Sequence, residues 1–246
     1  MSSRLSISVV LATYKGAPWL NAQLDSIADQ LRVGDELIIS CDGGLSEDLE
    51  IAERFAKAHP DLRIRILSGP GLGVVRNFEF ALSQARREII VFCDQDDVWK
   101  PGKLDLYRHG FREENVMAML HDASICDADL HVIEPSFYQS HGSKEGFWNN
   151  LLRNSMIGCC MAVRKEVVDA SLPFGKIPMH DQFLGLQAYR MGKVVFSPKN
   201  CLDYRRHGNN ASSLKSSSLQ NQIQWRLQLI GALLRHPVPK QKAKSR

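Results

Sequence analysis

The chain has 246 residues, which is enough for one substantial α/β domain or for one domain carrying an appended helix. Its hydrophobic (44%) and charged (24%) fractions are ordinary for a globular protein, and its net charge of +4 is too small to predict nucleic-acid binding. No apolar run is long enough to span a bilayer or to form the core of a signal peptide. The six cysteines show neither a C-x-x-C pair nor zinc-like spacing, so we expect reduced thiols and a cytoplasmic location.

The first half of the chain alternates apolar runs with segments of helical spacing. Four runs predict β-strands: residues 5–11, 36–40, 62–67 and 88–93. Helices are predicted between them: from Pro18, from Ser46 and over residues 74–85. This alternation is typical of βαβ units, so we predict an α/β fold with a mostly parallel central sheet flanked by helices. In such sheets ligands bind beyond the carboxyl ends of the strands, which is where the polar loops of this half fall.

The second half is less regular. Its predicted strands are residues 116–128 (with a turn), 156–163 and 194–197, and its predicted helices are residues 145–154 and 182–191. Residues 209–218 are rich in Ser and Asn, which predicts a flexible loop.

An amphipathic helix is predicted near the C-terminus from five apolar residues at helical spacing: Leu219, Ile223, Leu227, Ile230 and Leu234. We expect this stripe to pack on the domain or on a second subunit, which would make a homodimer. Arg226, Arg235 and the basic tail that follows also allow peripheral contact with the inner face of a membrane.

Three carboxylates, those of Asp94, Asp96 and Asp97, directly follow the fourth predicted strand. Two ionised carboxylates ~4 Å apart repel by ~4 kcal/mol at an effective dielectric of about 20. A bound divalent cation removes that repulsion, and hard cations such as Mg²⁺ and Mn²⁺ prefer oxygen ligands. The cluster therefore indicates either a metal site or a solvated acidic turn, since carboxylates are also frequent in turns.

Residues 92–104 (FCDQDDVWKPGKL) closely resemble the D-x-D-D region of family 2 glycosyltransferases, which have the GT-A fold. The resemblance is to the branch that contains bacterial rhamnosyltransferases, and it extends along most of the chain. Residues 9–16 are similar to the family's first strand and nucleotide loop. Residues 39–44 are similar to its D-D-G-S motif, with Cys41 in place of the first Asp and Gly44 in place of the Ser.

The resemblance implies a GT-A catalytic domain over residues 1–210, with a nucleotide-binding half at residues 1–100 and an acceptor half at residues 101–210. The loop, helix and tail of residues 211–246 follow this domain. The implied reaction is an inverting transfer of a sugar from a UDP- or dTDP-sugar, with dTDP-rhamnose as one candidate. The implied acceptor is a hydroxyl of a glycan or of a lipid-linked acceptor in surface polysaccharide synthesis.

In the nucleotide-binding half, the resemblance implies contacts with the donor from Thr13, Tyr14, Asp42, Arg76 and Asn77. The Asp42 carboxylate would accept a hydrogen bond from N3–H of uracil or thymine, because an ionised carboxylate is only an acceptor. Arg76 and Asn77 lie at a helix start, where Arg76 is available to pair with phosphate. The local sequence is equally compatible with a turn-stabilising Asp42 and a surface Arg76.

The same resemblance divides the acidic cluster between ribose and metal. Asp94 or Asp96 would hold the ribose hydroxyls, and Asp96 or Asp97 would bind Mg²⁺ or Mn²⁺ bridging the diphosphate. The cation would neutralise the charge that develops on the leaving nucleoside diphosphate.

Two motifs of the second half supply the remaining roles. The segment Pro-Met-His-Asp that ends at Asp181 resembles the family's H-D motif, whose Asp would deprotonate the acceptor hydroxyl as general base. The alternative is that Asp181 only caps the helix that follows. Residues 203–210 resemble the family's Y-R-x-H-x-x-N segment, in which His207 would ligate the metal or contact the diphosphate. Arg205 or Arg206 would add positive charge there.

Two other functions use parts of this pattern. Nucleotidyl transfer also uses clustered Asp residues and Mg²⁺, but it calls for a basic Gly-rich loop after the first strand, and residues 12–16 are a poor match. A nucleotide-sugar-binding module that has lost catalysis would need neither Asp181 nor His207, and both are present. The sequence therefore favours the glycosyltransferase.

Overall fold

The computed structural model describes residues 5–44, 46–207 and 218–238. The strands in these residues are β1 (Ile7–Thr13), β2 (Glu36–Cys41), β3 (Ile64–Ser68), β4 (Ile89–Asp94), β5 (Val98–Trp99), β6 (Val116–Cys126), β7 (Val132–Glu134), β8 (Met161–Arg164) and β9 (Lys193–Arg205). The helices are α1 (Ala17–Ala28), α2 (Ser46–Ala58), α3 (Val74–Ser83), α4 (Lys103–Gly110), α5 (Phe137–His141), α6 (Phe147–Leu152), α7 (Lys165–Asp169), α8 (His180–Met191) and α9 (Leu219–Arg235).

The strands form one sheet in the order β3-β2-β1-β4-β8-β6-β9-β5, with β7 paired to β6. Strands β3, β2, β1 and β4 run parallel to one another. The sheet continues through antiparallel pairs of β4 with β8 and of β8 with β6, and β9 then lies parallel to β6. Helices pack on this sheet, so the predicted α/β fold with a mostly parallel central sheet is confirmed.

The central strands are buried on both faces of the sheet. Alternate residues of β1 enter two different cores. Val9 and Leu11 pack in the core that includes residues of α1, α2 and α4, whereas Val10 and Ala12 pack in the core that includes residues of α3, α8 and α9. A strand covered by helices on both faces needs apolar residues at nearly every position, which explains the continuous apolar runs of the first half.

The register of β1 brings the ends of three strands together. Thr13, the last residue of β1, pairs with Cys41 at the end of β2, and Ala12 pairs with Asp94 at the end of β4. The loops that follow these strands, including the turn that begins at Asp42, therefore meet at one edge of the sheet. This is the edge at which the sequence predicts ligand binding.

Two strand predictions in the second half are wrong in extent. Within residues 156–163 only the segment belonging to β8 is a strand, and Gly158–Cys160 form a 3₁₀ turn. The predicted short strand at residues 194–197 is the beginning of β9, which is longer because it pairs along the whole of β6. All but the last residue of the predicted loop at residues 209–218, and the basic tail, lie outside the described residues.

The predicted C-terminal helix is confirmed as α9, but its buried face is not the predicted one. Leu229, Ala232 and Leu233 are buried against the domain. Trp225 is partly exposed, and five further apolar residues are exposed: Leu219, Ile223, Leu227, Ile230 and Leu234. These five form the predicted stripe, so the expectation that the stripe packs on the domain is wrong. Among the residues that the structure describes, no helix is long and apolar enough to cross a membrane.

Candidate functional site

The acidic cluster occupies the end of β4 and the loop between β4 and β5. The antiparallel pairing of β5 with β9 brings the end of β9 alongside this loop. The backbone N–H of Arg205 donates to Oδ1 of Asp97 (3.0 Å), and the Arg205 Nε–H donates to the carbonyl oxygen of Asp96 (2.8 Å). These bonds fix the acidic loop to a strand that lies 108 residues later in the chain.

His207 follows β9 and lies against the acidic loop. Its Nε2 is 2.9 Å from Oδ2 of Asp96, and the two side chains are 9% and 11% exposed. The Trp19 ring from α1 stacks on the imidazole with 5.2 Å between ring centroids, and the Arg205 guanidinium lies 4.6 Å from the centroid of the same Trp19 ring. Asp96 and His207, two of the three predicted metal ligands, are therefore adjacent.

Burial and mutual repulsion make the acidic cluster difficult to ionise. Burial raises the pKa of Asp94 to about 7, and the charges of Asp96 and Asp181 act in the same direction, against the opposing effect of Lys103. The pKa of Asp97 is likewise raised, by burial and then by Asp96 and Asp94. A divalent cation would stabilise the ionised carboxylates, so the chemistry of this donor set fits a bound cation.

Two groups of potential ligands lie in this region. Carboxylate oxygens of Asp94 and Asp97 and the sulfur of Cys159 lie within 4.8 Å of one another. Burial raises the pKa of the Cys159 thiol well above its ordinary value, so the thiol stays protonated and is a poor ligand for a hard cation. The pair of Asp96 and His207 offers one oxygen and one nitrogen, a combination that suits Mn²⁺ better than Mg²⁺.

Asp181 lies in the first turn of α8, and both of its carboxylate oxygens accept backbone hydrogen bonds. Oδ2 accepts from the N–H of Gly158 (3.1 Å) and Oδ1 from the N–H of Gln182 (2.6 Å). Burial raises the pKa of Asp181 to about 6, although these N–H groups oppose the rise. The Asp181 charge contributes in turn to the raised pKa of Asp94, so the two carboxylates share one region of the molecule.

Asp42 holds the glycine-rich loop that precedes α3. Its Oδ1 accepts from the N–H of Gly71 (2.7 Å) and its Oδ2 from the N–H of Gly73 (3.0 Å). Gly69 has no room for a side chain, because a Cβ there would lie 2.9 Å from the Asp42 Cα. Asp42 therefore has the turn-stabilising role, and it keeps capacity to accept a further bond because a carboxylate offers about four lone-pair sites.

Asn77 and Arg76 have partners within the fold. The Ser40 hydroxyl donates to Oδ1 of Asn77 (2.6 Å), and Nδ2 of Asn77 donates to the Ser40 carbonyl oxygen (3.0 Å). These bonds tie α3 to the end of β2 beside the turn of Asp42. Arg76 is partly exposed and forms an ion pair with Glu79 on the same helix.

Two further predicted donor contacts, Arg206 and Tyr14, directly follow β9 and β1. Arg206 donates to the Tyr204 hydroxyl (2.9 Å), and its guanidinium lies 5.5 Å from the centroid of the Tyr204 ring. Tyr14 is half exposed, and its ring lies beside Gly43, where an added Cβ would be 3.4 Å away. Tyr14 thus presents an aromatic face next to the turn of Asp42.

A model of the family described as Glycosyl transferase family 2 matches residues 8–172, more than half of the chain. The chain belongs to this family. The matched residues include all of β1 except Ile7, the acidic loop and β8.

Several known proteins are similar to this family 2 glycosyltransferase over most of its length. An uncharacterised glycosyltransferase of Nostoc sp. is 25% identical over 226 residues, covering 89% of this chain and 70% of the relative. The Escherichia coli protein WfgD is 24% identical over 241 residues, covering 94% of this chain and 88% of WfgD. WfgD is a UDP-Glc:α-D-GlcNAc-diphosphoundecaprenol β-1,3-glucosyltransferase. The Shigella flexneri dTDP-rhamnosyl transferase RfbG is 25% identical over 217 residues, covering 81% of this chain and 72% of RfbG.

Two solved structures share the fold. S. aureus TarS in complex with UDP-GlcNAc has a TM-score of 0.71 at 18% identity, covering 96% of this chain and 68% of TarS. Glucosyl-3-phosphoglycerate synthase from Mycobacterium tuberculosis, in complex with Mn²⁺, UDP and glucosyl-3-phosphoglycerate, has a TM-score of 0.59 at 17% identity, covering 96% and 82%. The chain therefore has the GT-A fold that the sequence predicts.

This family 2 glycosyltransferase fixes the loop after β1 with two side chains that the sequence did not reveal as site residues. Asp48, in the first turn of α2, accepts from the Thr13 hydroxyl (2.6 Å) and from the N–H of Gly16 (2.9 Å). Gln95, within the acidic motif, accepts from the N–H of Tyr14 (2.6 Å) and donates to the Tyr14 carbonyl oxygen (3.0 Å). A Cβ at Gly16 would lie 2.5 Å from Oε1 of Gln95 and 2.6 Å from Oγ1 of Thr13, so a side chain there would displace these two groups.

Proposed function

We propose that this chain is an inverting, metal-dependent glycosyltransferase. It moves a sugar from a UDP- or dTDP-sugar to a hydroxyl of a glycan or lipid-linked acceptor in surface polysaccharide synthesis. The observation that carries the proposal is the approach of His207 to Asp96 in the same acidic region as the buried carboxylate of Asp181. A cation site for a diphosphate beside a general base is what an inverting transfer requires. Relatives named for transfer from UDP-Glc and for dTDP-rhamnosyl transfer support the two donor classes.

We assign nucleotide binding to residues 1–100 and acceptor binding to residues 101–210. In the first half, Asp42 would accept from N3–H of uracil or thymine while it holds the glycine-rich loop. The Thr13 hydroxyl and the exposed Tyr14 ring would line the same pocket. Asn77 would act by keeping the Asp42 turn in place.

Positive charge for the donor phosphates would come from two arginines. Arg76 would have to exchange its Glu79 partner for a phosphate oxygen, and Arg206 would approach from the end of β9. Arg76 would exchange one anionic partner for another, whereas Arg206 would exchange an uncharged hydroxyl acceptor for an anionic phosphate oxygen.

Asp96 and His207 would hold Mg²⁺ or Mn²⁺. The cation would supply Lewis-acid stabilisation of the leaving nucleoside diphosphate. Asp97 would serve mainly by holding the end of β9 to the acidic loop, because one of its oxygens accepts from the Arg205 N–H. Asp94 would accept hydrogen bonds from the ribose hydroxyls.

Asp181 would be the general base. It would take the proton of the acceptor hydroxyl while that oxygen attacks the anomeric carbon and the bond to the diphosphate breaks on the opposite face. A pKa of about 6 leaves the carboxylate ionised at neutral pH and more basic than an ordinary aspartate. The N–H groups of Gly158 and Gln182 orient the carboxylate.

A thermal-shift comparison of UDP, dTDP, GDP and CDP sugars, with and without Mn²⁺, tests this proposal. We expect UDP or dTDP sugars to raise the Tm most, and Mn²⁺ to increase that rise, because ligands that bind only the folded state stabilise it. A preference for CDP or GDP sugars would contradict the role of Asp42, since neither cytosine nor guanine carries a hydrogen on N3. Equal stabilisation with and without Mn²⁺ would contradict the metal site.

A further inference from the structure

An exposed apolar stripe runs along α9. Its five residues fall within an arc of about 80° when the helix is viewed down its axis. Leu227 and Leu234 are 64% and 77% exposed. The residues by which α9 packs on the domain, including Leu229 and Leu233, occupy a separate arc. The stripe is therefore not the packing face, and it has an apolar area that water solvates poorly.

The helix α6 extends this apolar surface. Arg226 of α9 donates to the carbonyl oxygen of Leu152 (2.6 Å), which places the end of α6 beside α9. Leu152 and Trp148, one helical turn apart on α6, are 61% and 72% exposed. The stripe together with these two residues forms the α6–α9 face.

The charge near the α6–α9 face is basic. Residues 144–153 and 218–238 contain four basic residues and one acidic residue: Lys144, Arg153, Arg226, Arg235 and Glu145. In the sequence, residues 239–246 contain four more basic residues and no acidic one. A second copy of the chain would bring like charges together with almost no carboxylates to pair with them. An anionic lipid surface complements both the charge and the apolar stripe.

We propose that the α6–α9 face docks on the anionic surface of a lipid bilayer, with α9 lying in the plane of the interface. The Leu and Ile side chains of the stripe enter the boundary between headgroups and acyl chains, and Trp148 lies at headgroup depth. Arg235 contacts lipid phosphates. The packing arc of α9 stays on the domain, so docking requires no unfolding of the helix. Docking does not depend on the proposed donor or reaction, although it would bring the enzyme to a lipid-linked acceptor.

Co-sedimentation of the full chain with vesicles tests the proposal. The vesicles contain phosphatidylglycerol and phosphatidylcholine in equal parts, or phosphatidylcholine alone. We expect binding to the anionic vesicles that weakens as salt is added, and much weaker binding to phosphatidylcholine alone. The triple variant Ile223→Gln, Leu227→Gln, Leu234→Gln should lower the partition coefficient at least about tenfold, because three apolar side chains no longer enter the bilayer.

The matched control changes the polar side of the same helix. Gln220→Ser with Gln224→Ser should bind vesicles like the wild type. Because the three apolar positions are exposed, the triple variant should keep the wild-type Tm and nucleotide-induced thermal shift. If its Tm falls, the single variant Leu234→Gln replaces it, with an expected loss of about threefold.

Three results would overturn the proposal. The first is a wild-type chain that does not bind anionic vesicles. The second is a stripe variant with the wild-type Tm that binds them as tightly as the wild type. The third is a lipid-free dimer, measured by sedimentation velocity, that the triple variant dissociates, because the stripe would then be covered by a second copy of the chain.

Discussion

The Nε2 atom of His207 lies 2.9 Å from Oδ2 of Asp96, although 111 residues separate the two in the chain. The pairing of β5 with β9 and the bonds from Arg205 to the acidic loop bring them together. A carboxylate oxygen and an imidazole nitrogen at this separation are within reach of one cation.

Removing the imidazole should weaken cation binding. We expect His207→Ala to lower the affinity for Mn²⁺ in the presence of UDP by at least roughly tenfold, because one protein ligand is lost. Isothermal titration calorimetry measures this affinity. His131→Ala is the matched control, since His131 also lies beside a carboxylate, that of Asp127, but at an exposed position. Equal losses in the two variants would contradict the assignment.

The identity of the cation should follow from the nitrogen ligand. Mn²⁺ accepts imidazole more readily than Mg²⁺, which prefers carboxylates and water. Sugar transfer should therefore be faster with saturating Mn²⁺ than with saturating Mg²⁺ and should stop in a chelator. Faster transfer with Mg²⁺ would argue that His207 contacts the diphosphate and not the metal.

The rate of sugar transfer should depend on pH and on the negative charge of Asp181. Asp181→Asn should lower kcat by about 10²–10⁴-fold and leave donor binding unchanged. The pKa of Asp181 is raised to about 6, so the ionised base is present above that pH and is lost as the pH falls through it. In the wild type, kcat should fall about tenfold per pH unit below that value.

Asp169→Asn is the control for the base. Asp169 is an exposed carboxylate that forms an ion pair with Lys165, and it precedes the H-D motif in the chain. It should leave the pH profile unchanged. A flat kcat profile between about pH 5 and about pH 8 would remove Asp181 from the role of base.

The loop after β1 should depend on Gln95 and Asp48. Gln95→Ala removes two hydrogen bonds to the Tyr14 backbone, and Asp48→Ala removes those to Thr13 and Gly16. Each variant should raise the KM for the donor by about twofold to tenfold with a smaller change in kcat, since a net hydrogen bond contributes about 0.5–1.5 kcal/mol. Steady-state kinetics measure both constants.

Gln220→Ala, at an exposed position of α9, is the control for the loop variants and should behave like the wild type. A fall in kcat without a change in KM would show that the loop acts on the chemical step and not on donor binding.

The two faces of α9 should differ in their effect on stability. Leu229 is 1% exposed and Leu227 is 64% exposed, two residues apart in one helix. Leu229→Ala should lower the free energy of unfolding by about 2–5 kcal/mol, whereas Leu227→Ala should change it by less than about 0.5 kcal/mol. Urea denaturation measures both. Similar losses would mean that the stripe is packed in solution.

Much of the fold was predictable because apolar runs identify strands and their ends. The α/β class is confirmed, and the edge that gathers Thr13, Asp42 and Asp94 follows from parallel pairing alone. The strand predicted at residues 156–163 begins only at Met161, because of a contact with a residue outside this segment. The N–H of Gly158 donates to the Asp181 carboxylate and the chain turns there, which apolar composition does not reveal.

Other features depend on contacts between residues that are distant in the chain. Asp48 looks like a first-turn acid of α2, and Gln95 like the variable residue of an acidic motif, because their partners lie 32–35 and 81 residues away. The orientation of α9 also depends on contacts with residues that are distant in the chain. Periodicity located the helix and an apolar stripe, but not which of its two apolar arcs, that of Leu229 or that of Leu227, meets the domain.

The most direct measurement follows the nucleotide product when UDP- and dTDP-sugars are incubated with Mn²⁺ and a panel of glycan and lipid-linked acceptors. We predict release of a nucleoside diphosphate that requires both Mn²⁺ and acceptor, and that is lost in Asp181→Asn. Release of a nucleoside monophosphate or of pyrophosphate would indicate nucleotidyl transfer. That result, or full activity of Asp181→Asn, would contradict an inverting glycosyltransferase with Asp181 as its base.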